Sequence, residues 1–396
     1  MQGPLDGVKV LDLTRVLAGP FCCSILGDMG AEVVKVERTG RGDDSRDILP
    51  KVGGESLYFQ IMNRNKFGIS LNFRHPKGPA LLKELVRHAD VLVENFRGGT
   101  MEKMGCGYNT LQAINPRLVM VSISGFGQDG PYSKLPCYDV VAQAMSGFME
   151  ITGQPDGPPT VAGTFVVDYS TGLYAVIGTL AALRAREHTG VGQLVDVALL
   201  DTAISYLVTA IPEYLLLGKK MTRVGNRDRY CAPANLFRCK DGKWVFLACA
   251  TDSLFPRLLK AMGRQDLCED PRFTTHEARI EHVVEGEELL AKWVADQTAD
   301  EVVARMAKAE LPCAKVASID EVVVNPQVVH RGMVAQVEHP TAGCVPMQGV
   351  NIHLSETPGA IRRSAPLLGQ HNEEVYGRWL GLAPNDVARM KAEGVI

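Results

Sequence analysis

The stretch VKVLDLTRVLAGPFCCSILGDMGAEVVKVE, residues 8–37, decides the fold. Val8–Leu13 is a short apolar run of the length of a buried strand. Gly19-Pro20 opens a helix, with proline in the first turn, where its missing N–H costs nothing. Gly30 sits where a helix C-cap is expected, and Glu32–Glu37 is a second strand. A strand, a helix and a strand in that order make a right-handed βαβ unit with parallel strands. The pattern recurs downstream. Phe67–Asn72 reads as a strand, and Pro76–His88 as a helix with Leu81, Leu82, Leu85 and Val86 on one face. Val91–Glu94 and Leu118–Ser124 are further strands. The fold class is therefore α/β, a doubly wound, Rossmann-like parallel sheet.

The character changes near Gly225. Asn235–Cys239 and Lys243–Cys249 flank Lys240-Asp241-Gly242, a hairpin signal with Asp-Gly at the turn. Charged amphipathic helices follow around Ser253–Met262, Gly286–Asp296 and Ala299–Ala309. From Val322 on, proline, glycine and histidine are frequent, with extended runs such as Met333–Val337. The expected organisation is a large α/β domain begun by residues 1–225, a smaller α+β domain over 226–320, and a return segment, 321–396, that completes the large domain.

Composition narrows the function. The chain has 396 residues, 46% hydrophobic and 22% charged, as in a soluble globular enzyme. A net charge of −3 argues against nucleic acid or an anionic membrane as partner. The ten cysteines are scattered, and no signal-peptide pattern precedes the first strand, so reduced thiols in the cytoplasm are expected. Neither a CxxC pair nor HExxH occurs, so no metal site is expected. The longest apolar stretch, Leu194 to Leu217, is interrupted by Asp196, Asp201 and Glu213, and reads as a buried helix and not a membrane span.

Asp168 is a single carboxylate in an apolar, small-residue run from Val161 to Leu183. It costs free energy there unless paired or used. In a helix it would lie near the first turn, either as a cap or as a functional anion. Glu37 ends the second strand where a ribose-binding acid would sit. The turn Arg15-Val16-Leu17-Ala18-Gly19-Pro20 is not GxGxxG, however, so a nicotinamide cofactor is not expected. Arg38, just beyond that strand, suits a phosphate, or else is a solvated loop arginine. Cys22 and Cys23 lie in a helical first turn that could activate a thiol, but core packing is the expected role. Asn63-Arg64-Asn65-Lys66 and Glu94-Asn95-Phe96-Arg97-Gly98-Gly99 combine amides, cations and glycine, as in loops that meet phosphates or as in loops of no special role.

Together the segments VKVLDLTRVLAGPF, LGDMGAEVVKVER, NRNKFGISLNF, VLVENFRGGTMEKMG, SGFGQDGPY, YDVVAQAMSG and TGQPDGPPTVAGTFVVDYSTGLYAVIGTLAALRAREHTGVGQLVDVALLD resemble the class III coenzyme A transferases. They are similar to the formyl-CoA and carnitine-CoA transferases. The match runs in order through most of the first 230 residues and continues more loosely beyond. The resemblance implies an intertwined dimer, with an active site between domains and near the dimer interface. It places the catalytic aspartate on Asp168, which would carry acyl groups as mixed anhydrides and CoA as an aspartyl thioester. CoA-contacting positions fall on Val16, Arg38, Asn95, Phe96, Lys103, Tyr138 and Asp139. Arg38 and Lys103 would meet phosphates and Phe96 would pack near the adenine. Small residues around Asp168 (Gly163, Thr164, Ser170, Gly172) would leave room for close approach. Coenzyme A is then a carried substrate and no cofactor is permanently bound. The expected assembly is a homodimer, with a heteromeric partner, or a catalytically silent subunit, as the alternative.

Two departures bear on the acids. Formyl-CoA transferase has a glycine-rich loop where this chain reads Cys249-Ala250-Thr251-Asp252-Ser253, and a glutamine where it has Arg15. An arginine there suits a second carboxylate, so a dicarboxylic or larger acceptor is expected, with succinyl-CoA as donor. The related 2-methylacyl-CoA racemases use a Gly-His-Asp motif. Here the matching residues are Cys137-Tyr138-Asp139, so one partner of two-base racemisation is missing, and a racemase-like isomerase is the alternative to the transferase.

Overall fold

The computed structural model describes residues 3–396, which pack as two compact units. Among the described residues, the first comprises those up to Phe148, Val161–Ile211 and Pro326–Ile396; the second comprises Met149–Thr160 and Pro212–Asn325.

The first unit is built on six parallel strands. In chain order its main elements are β1 (Lys9–Asp12), α1 (Ala18–Asp28), β2 (Glu32–Glu37), α2 (Leu57–Asn63), β3 (Lys66–Ser70), α3 (Gly78–Val86), β4 (Val91–Glu94), β5 (Val119–Ser124), α4 (Asp139–Ser146), α5 (Val166–Thr189), β6 (Leu194–Ala198) and α6 (Leu199–Ile204). The strand order is 3-2-1-4-5-6. The order reverses between β1 and β4, and a crevice opens outside the carboxyl ends of strands at such a point.

Strand alternation creates two cores. Leu11, Val34, Leu92 and Met120 point to one face, where they meet Tyr376 and Trp379 of the returning C-terminal chain. Val10, Val33, Val93 and Val121 point to the other, against Cys22 and Cys23 of α1 and Ala175 of α5. Burial on both faces explains why these strands read as continuous apolar runs. Both cysteines are fully buried, as core packing requires. The return segment also forms a hairpin, Val334–His339 with Gly343–Gln348, where the sequence shows only extended runs. Tyr376 Oη donates to Ser70 O at 2.9 Å, fixing the helix Asn372–Leu380 of the return segment to β3.

Three local readings are corrected. The apolar stretch Leu194–Leu217 is not one helix: it is β6, α6 and a separate helix, Ala210–Leu217. Alternating Val195 and Val197 pair with β5, and β-branched residues at period two favour the strand. The segment Asn63-Arg64-Asn65-Lys66 is no ligand loop but a buried clamp. Arg64 pairs with Asp28 at 2.7 Å, and Lys66 pairs with Asp12 at 2.7 Å. Asn65 Oδ1 accepts from the backbone N–H of Arg362 at 2.6 Å. Gly172 makes room for a helix, not a ligand: a Cβ there would lie 2.8 Å from Ala18 O of α1. α5 has the length and apolarity of a membrane span, and its buried face packs against this core.

In the second unit, Ala234–Arg238 and Trp244–Ala248 pair antiparallel, and Cys313–Lys315 adds a third strand. Gly242 has φ +77°, the left-handed turn conformation that favours glycine. Helices Phe255–Met262, Val283–Ala295 and Ala299–Lys308 cover one face around Val245, Leu258, Val294 and Met306. The Cys249–Ser253 segment is held within this unit. Buried Arg279 donates to Ala250 O at 2.7 Å and to Asp252 at 2.6 Å.

Candidate active site

A cavity of about 280 Å³ lies outside the carboxyl ends of β1, β4 and β5, where the strand order reverses. Each strand delivers a loop to it. The loop after β1 brings Arg15 and Val16, that after β4 brings Asn95, Phe96 and Arg97, and that after β5 brings Ser124 and Gly125. Cys137 and Tyr138 precede α4, and Asp168 arrives on the first turn of α5.

The β1 loop is held under strain. Val16 has φ +69°, which a β-branched residue rarely adopts and which costs about 1–3 kcal/mol. Asp43 offsets this by accepting from the Val16 N–H at 3.2 Å, while its other oxygen pairs with Lys35 at 2.8 Å. Both side chains of that ion pair are buried. Lys35 and the Ser45 N–H, both donating to Asp43, hold its pKa down to about 2 despite burial. Asn95 Nδ2 donates to Arg15 O at 2.8 Å and Asn95 Oδ1 accepts from Arg15 N at 2.9 Å. Its amide thus positions Arg15 and is already engaged.

The cationic edge of the cavity is shared by one carboxylate. Asp44 pairs with Arg15 at 3.3 Å and with Arg38 through its other oxygen. The Arg15 guanidinium also lies 5.8 Å from the centre of the Phe96 ring. Asp44 has no distinguishing signal in the sequence beyond following Asp43. Glu37, read against a ribose, instead binds Arg46 through both oxygens, at 2.7 and 2.8 Å.

Asp168 is partly buried, and no cation pairs with it among the described residues. Burial first, and the neighbouring Asp139 carboxylate second, push its pKa up to about 7. Asp139 itself is 2% exposed. Its Oδ2 accepts from the N–H groups of Val167 at 2.8 Å and Asp168 at 2.9 Å, so it caps α5 from another element.

Of the residues singled out in the sequence, Arg15, Val16, Asn95, Phe96, Tyr138 and Asp168 line the one cavity. Arg38 reaches its edge only through Asp44. Lys103 is exposed at the end of the short helix Thr100–Lys103, away from the lining, and Asp139 lies beneath it. The set is a half-buried carboxylate able to be anionic near neutrality, in one cavity with Arg15 and Arg97, at a sheet's switch point. That suits a carboxylate nucleophile and an anionic ligand.

Residues 5–372 match the model of CoA-transferase family III. The chain belongs to that family. This CoA-transferase is 41% identical over 394 residues to the succinyl-CoA–D-citramalate CoA-transferase of Chloroflexus aurantiacus, covering 99% of this chain and 98% of the relative. It is 41% identical over 366 residues to the acetyl-CoA:oxalate CoA-transferase of Acetobacter aceti, covering 91% and 92%. The solved structure of a CAIB/BAIF family protein from Brucella suis superposes with a TM-score of 0.84 at 36% identity, covering 96% of this chain and all of that one. The CoA-transferase reading of the sequence therefore stands. Coenzyme A thioesters are this enzyme's substrates.

Proposed function

We propose that this CoA-transferase moves CoA from succinyl-CoA to a dicarboxylic acid, with Asp168 as nucleophile. The observation that carries the reading is the unpaired, half-buried Asp168 carboxylate in a cavity shared with Arg15.

The steps follow from the chemistry of a carboxylate. Asp168 attacks the donor thioester carbonyl, the C–S bond breaks, and a mixed anhydride and free CoA thiolate form. The thiolate attacks the Asp168 carbonyl, releasing the donor acid and leaving CoA as an aspartyl thioester. The acceptor carboxylate attacks that thioester and again frees the thiolate. The thiolate then attacks the acceptor carbonyl of the second anhydride, and Asp168 is restored. Both nucleophiles are anions, so no general base is needed and no permanently bound cofactor takes part. The site must exclude water, which would hydrolyse the anhydrides.

Arg15 takes the remote carboxylate of a diacid, in place of Asp44. Both relatives are named for diacid acceptors, and one for succinyl-CoA as donor. CoA lies along Val16, Asn95, Phe96 and Tyr138, with Arg38, Lys103 and the Asp139 backbone beyond. A homodimer is the assembly proposed. Leu173, Tyr174 and Ile177 of α5 are 45%, 45% and 61% exposed, an apolar face that a second copy would cover. Ten free cysteines fit a cytoplasmic enzyme.

The test is a transfer assay with succinyl-CoA and a panel of acceptors: citramalate, oxalate, glutarate, acetate and formate. CoA monothioesters of the dicarboxylic acids as products, with the monocarboxylates poor acceptors, support the reading. Preference for acetate or formate overturns the acceptor assignment. Light scattering decides the assembly: a monomer, or a requirement for a different chain, overturns the homodimer.

A further inference from the structure

We propose that Asp139 is a positioning residue, one that fixes the backbone of the nucleophile and holds a second carboxylate beside Asp168. The inference rests on the reading of Asp168 as nucleophile.

The geometry is specific. α5 begins at Val166, and its N-cap residue, Phe165, has no side chain able to cap. The N–H groups of the first turn need acceptors from elsewhere. Asp139, the first residue of α4, supplies one oxygen to two of them, Val167 N at 2.8 Å and Asp168 N at 2.9 Å. The second bond is to the nucleophile's own amide. The other oxygen, Oδ1, accepts from Gln143 Nε2 one turn along α4. Gln143 in turn accepts, through Oε1, from the N–H of Ala162 in the segment leading into α5 at 3.0 Å. Asp139 and Gln143 are 2% and 0% exposed. α4 thus holds both the approach to α5 and its first turn through one continuous hydrogen-bonded chain.

This placement has two consequences. A backbone amide fixed at the nucleophile holds the Asp168 side chain in one orientation toward the cavity, and a displacement of about 1 Å at a reacting atom can cost about a hundredfold in rate. A second carboxylate so near also disfavours the ionised form of Asp168, adding to the effect of burial. The titratable groups facing Asp168 are Asp139 from α4, Tyr58 from α2, Cys137 from the loop before α4 and Tyr169 on α5. Arg15, Arg97, Asp44 and Tyr138 line the same cavity. Burial raises Tyr58 and Tyr169 and pushes Cys137 up to about 11, leaving them neutral at pH 7. Among the groups facing Asp168, the carboxylate that can be neutralised by mutation without touching the cavity wall is Asp139.

The experiment pairs two substitutions with two readouts. Asp139→Asn keeps an acceptor oxygen and removes the charge; Asp139→Ala removes both. The Asp168 carboxyl is titrated directly by carbon-13 NMR in aspartate-labelled protein, and kcat/KM is measured against pH. In Asp139→Asn the Asp168 titration and the acid limb of kcat/KM both move to lower pH, with kcat at high pH within about tenfold of the parent. In Asp139→Ala kcat falls by about a hundredfold. A residue that merely stabilises the fold would move neither titration. An unmoved Asp168 titration in folded Asp139→Asn overturns the proposal even if CoA transfer proceeds. Absence of transfer in the parent enzyme, with the titration shift present, overturns the nucleophile reading instead. If Asp139→Asn does not fold, Gln143→Met carries the test: kcat falls several-fold at unchanged KM for the acyl-CoA, and an unchanged kcat overturns the proposal.

Discussion

Asn95 grips Arg15 by its backbone, donating to its carbonyl at 2.8 Å and accepting from its amide at 2.9 Å. The two residues stand at the ends of β1 and β4, the neighbouring strands between which the order reverses. A two-way bond across that point fixes the loop that carries the arginine. Asn95→Ala should therefore lower kcat/KM for a diacid acceptor by about ten- to a hundredfold. Asn95→Asp should do nearly as badly, since a carboxylate cannot donate to Arg15 O. Steady-state kinetics decide, and an unaltered kcat/KM in both variants would show that the loop holds itself.

Arg15→Ala should raise the KM for a dicarboxylate far more than for a monocarboxylate. A charge-assisted hydrogen bond lost from a partly exposed site is worth about 1.5–3 kcal/mol, roughly ten- to a hundredfold in KM. Equal effects on the two acid classes would remove Arg15 from acceptor recognition.

Asp168→Asn should stabilise the protein above neutral pH. The carboxyl has a raised folded pKa of about 7 against an ordinary 3.8, so its ionised form is penalised in the folded state. Between those values the folded state binds the extra proton, and the parent regains stability as pH falls. The gain from the substitution is then largest above pH 7, on the order of a few kcal/mol at most, and shrinks toward pH 4. Urea denaturation at pH 8 and pH 5 measures it; a gain that is equal at both, or a loss at pH 8, contradicts the assignment.

Asp43→Ala should destabilise by about 3–5 kcal/mol, because it strands the fully buried Lys35 ammonium. It also removes the acceptor that holds Val16 in its left-handed conformation. Asp43 has its pKa lowered to about 2, so its stabilising contribution is present above the ordinary pKa of 3.8 and is lost as pH falls through 2. A loss below 1 kcal/mol in chemical denaturation would mean that Lys35 finds another partner.

The first five strands were legible because each is a short, mainly buried run next to a helix signal. Val10 and Leu11 alternate toward two cores, so no polar face interrupts the run. Asp168 was legible as a carboxylate out of place in an apolar helix. What sequence could not show were pairings across distance. Lys66 reads as a loop cation, yet it is buried against Asp12, 54 residues away. The resemblance places Asp139 among the CoA contacts, yet its carboxylate caps another helix, accepting from a residue 28 positions on. Asp44 carries no local signal, because its significance lies in the two arginines it meets. The run from Leu194 misled because apolar composition alone does not separate a strand from a helix. Val195 and Val197 held the distinguishing alternation.

The central claim is that CoA passes through Asp168, and the most direct measurement is capture of that intermediate. The enzyme is incubated with succinyl-CoA alone, quenched with hydroxylamine or borohydride, and its peptides are analysed by mass spectrometry. The account predicts a hydroxamate or a reduced side chain at Asp168, absent without the acyl-CoA and absent in Asp168→Asn. An unmodified Asp168 in an enzyme that transfers CoA, together with full activity of Asp168→Ala, would contradict it.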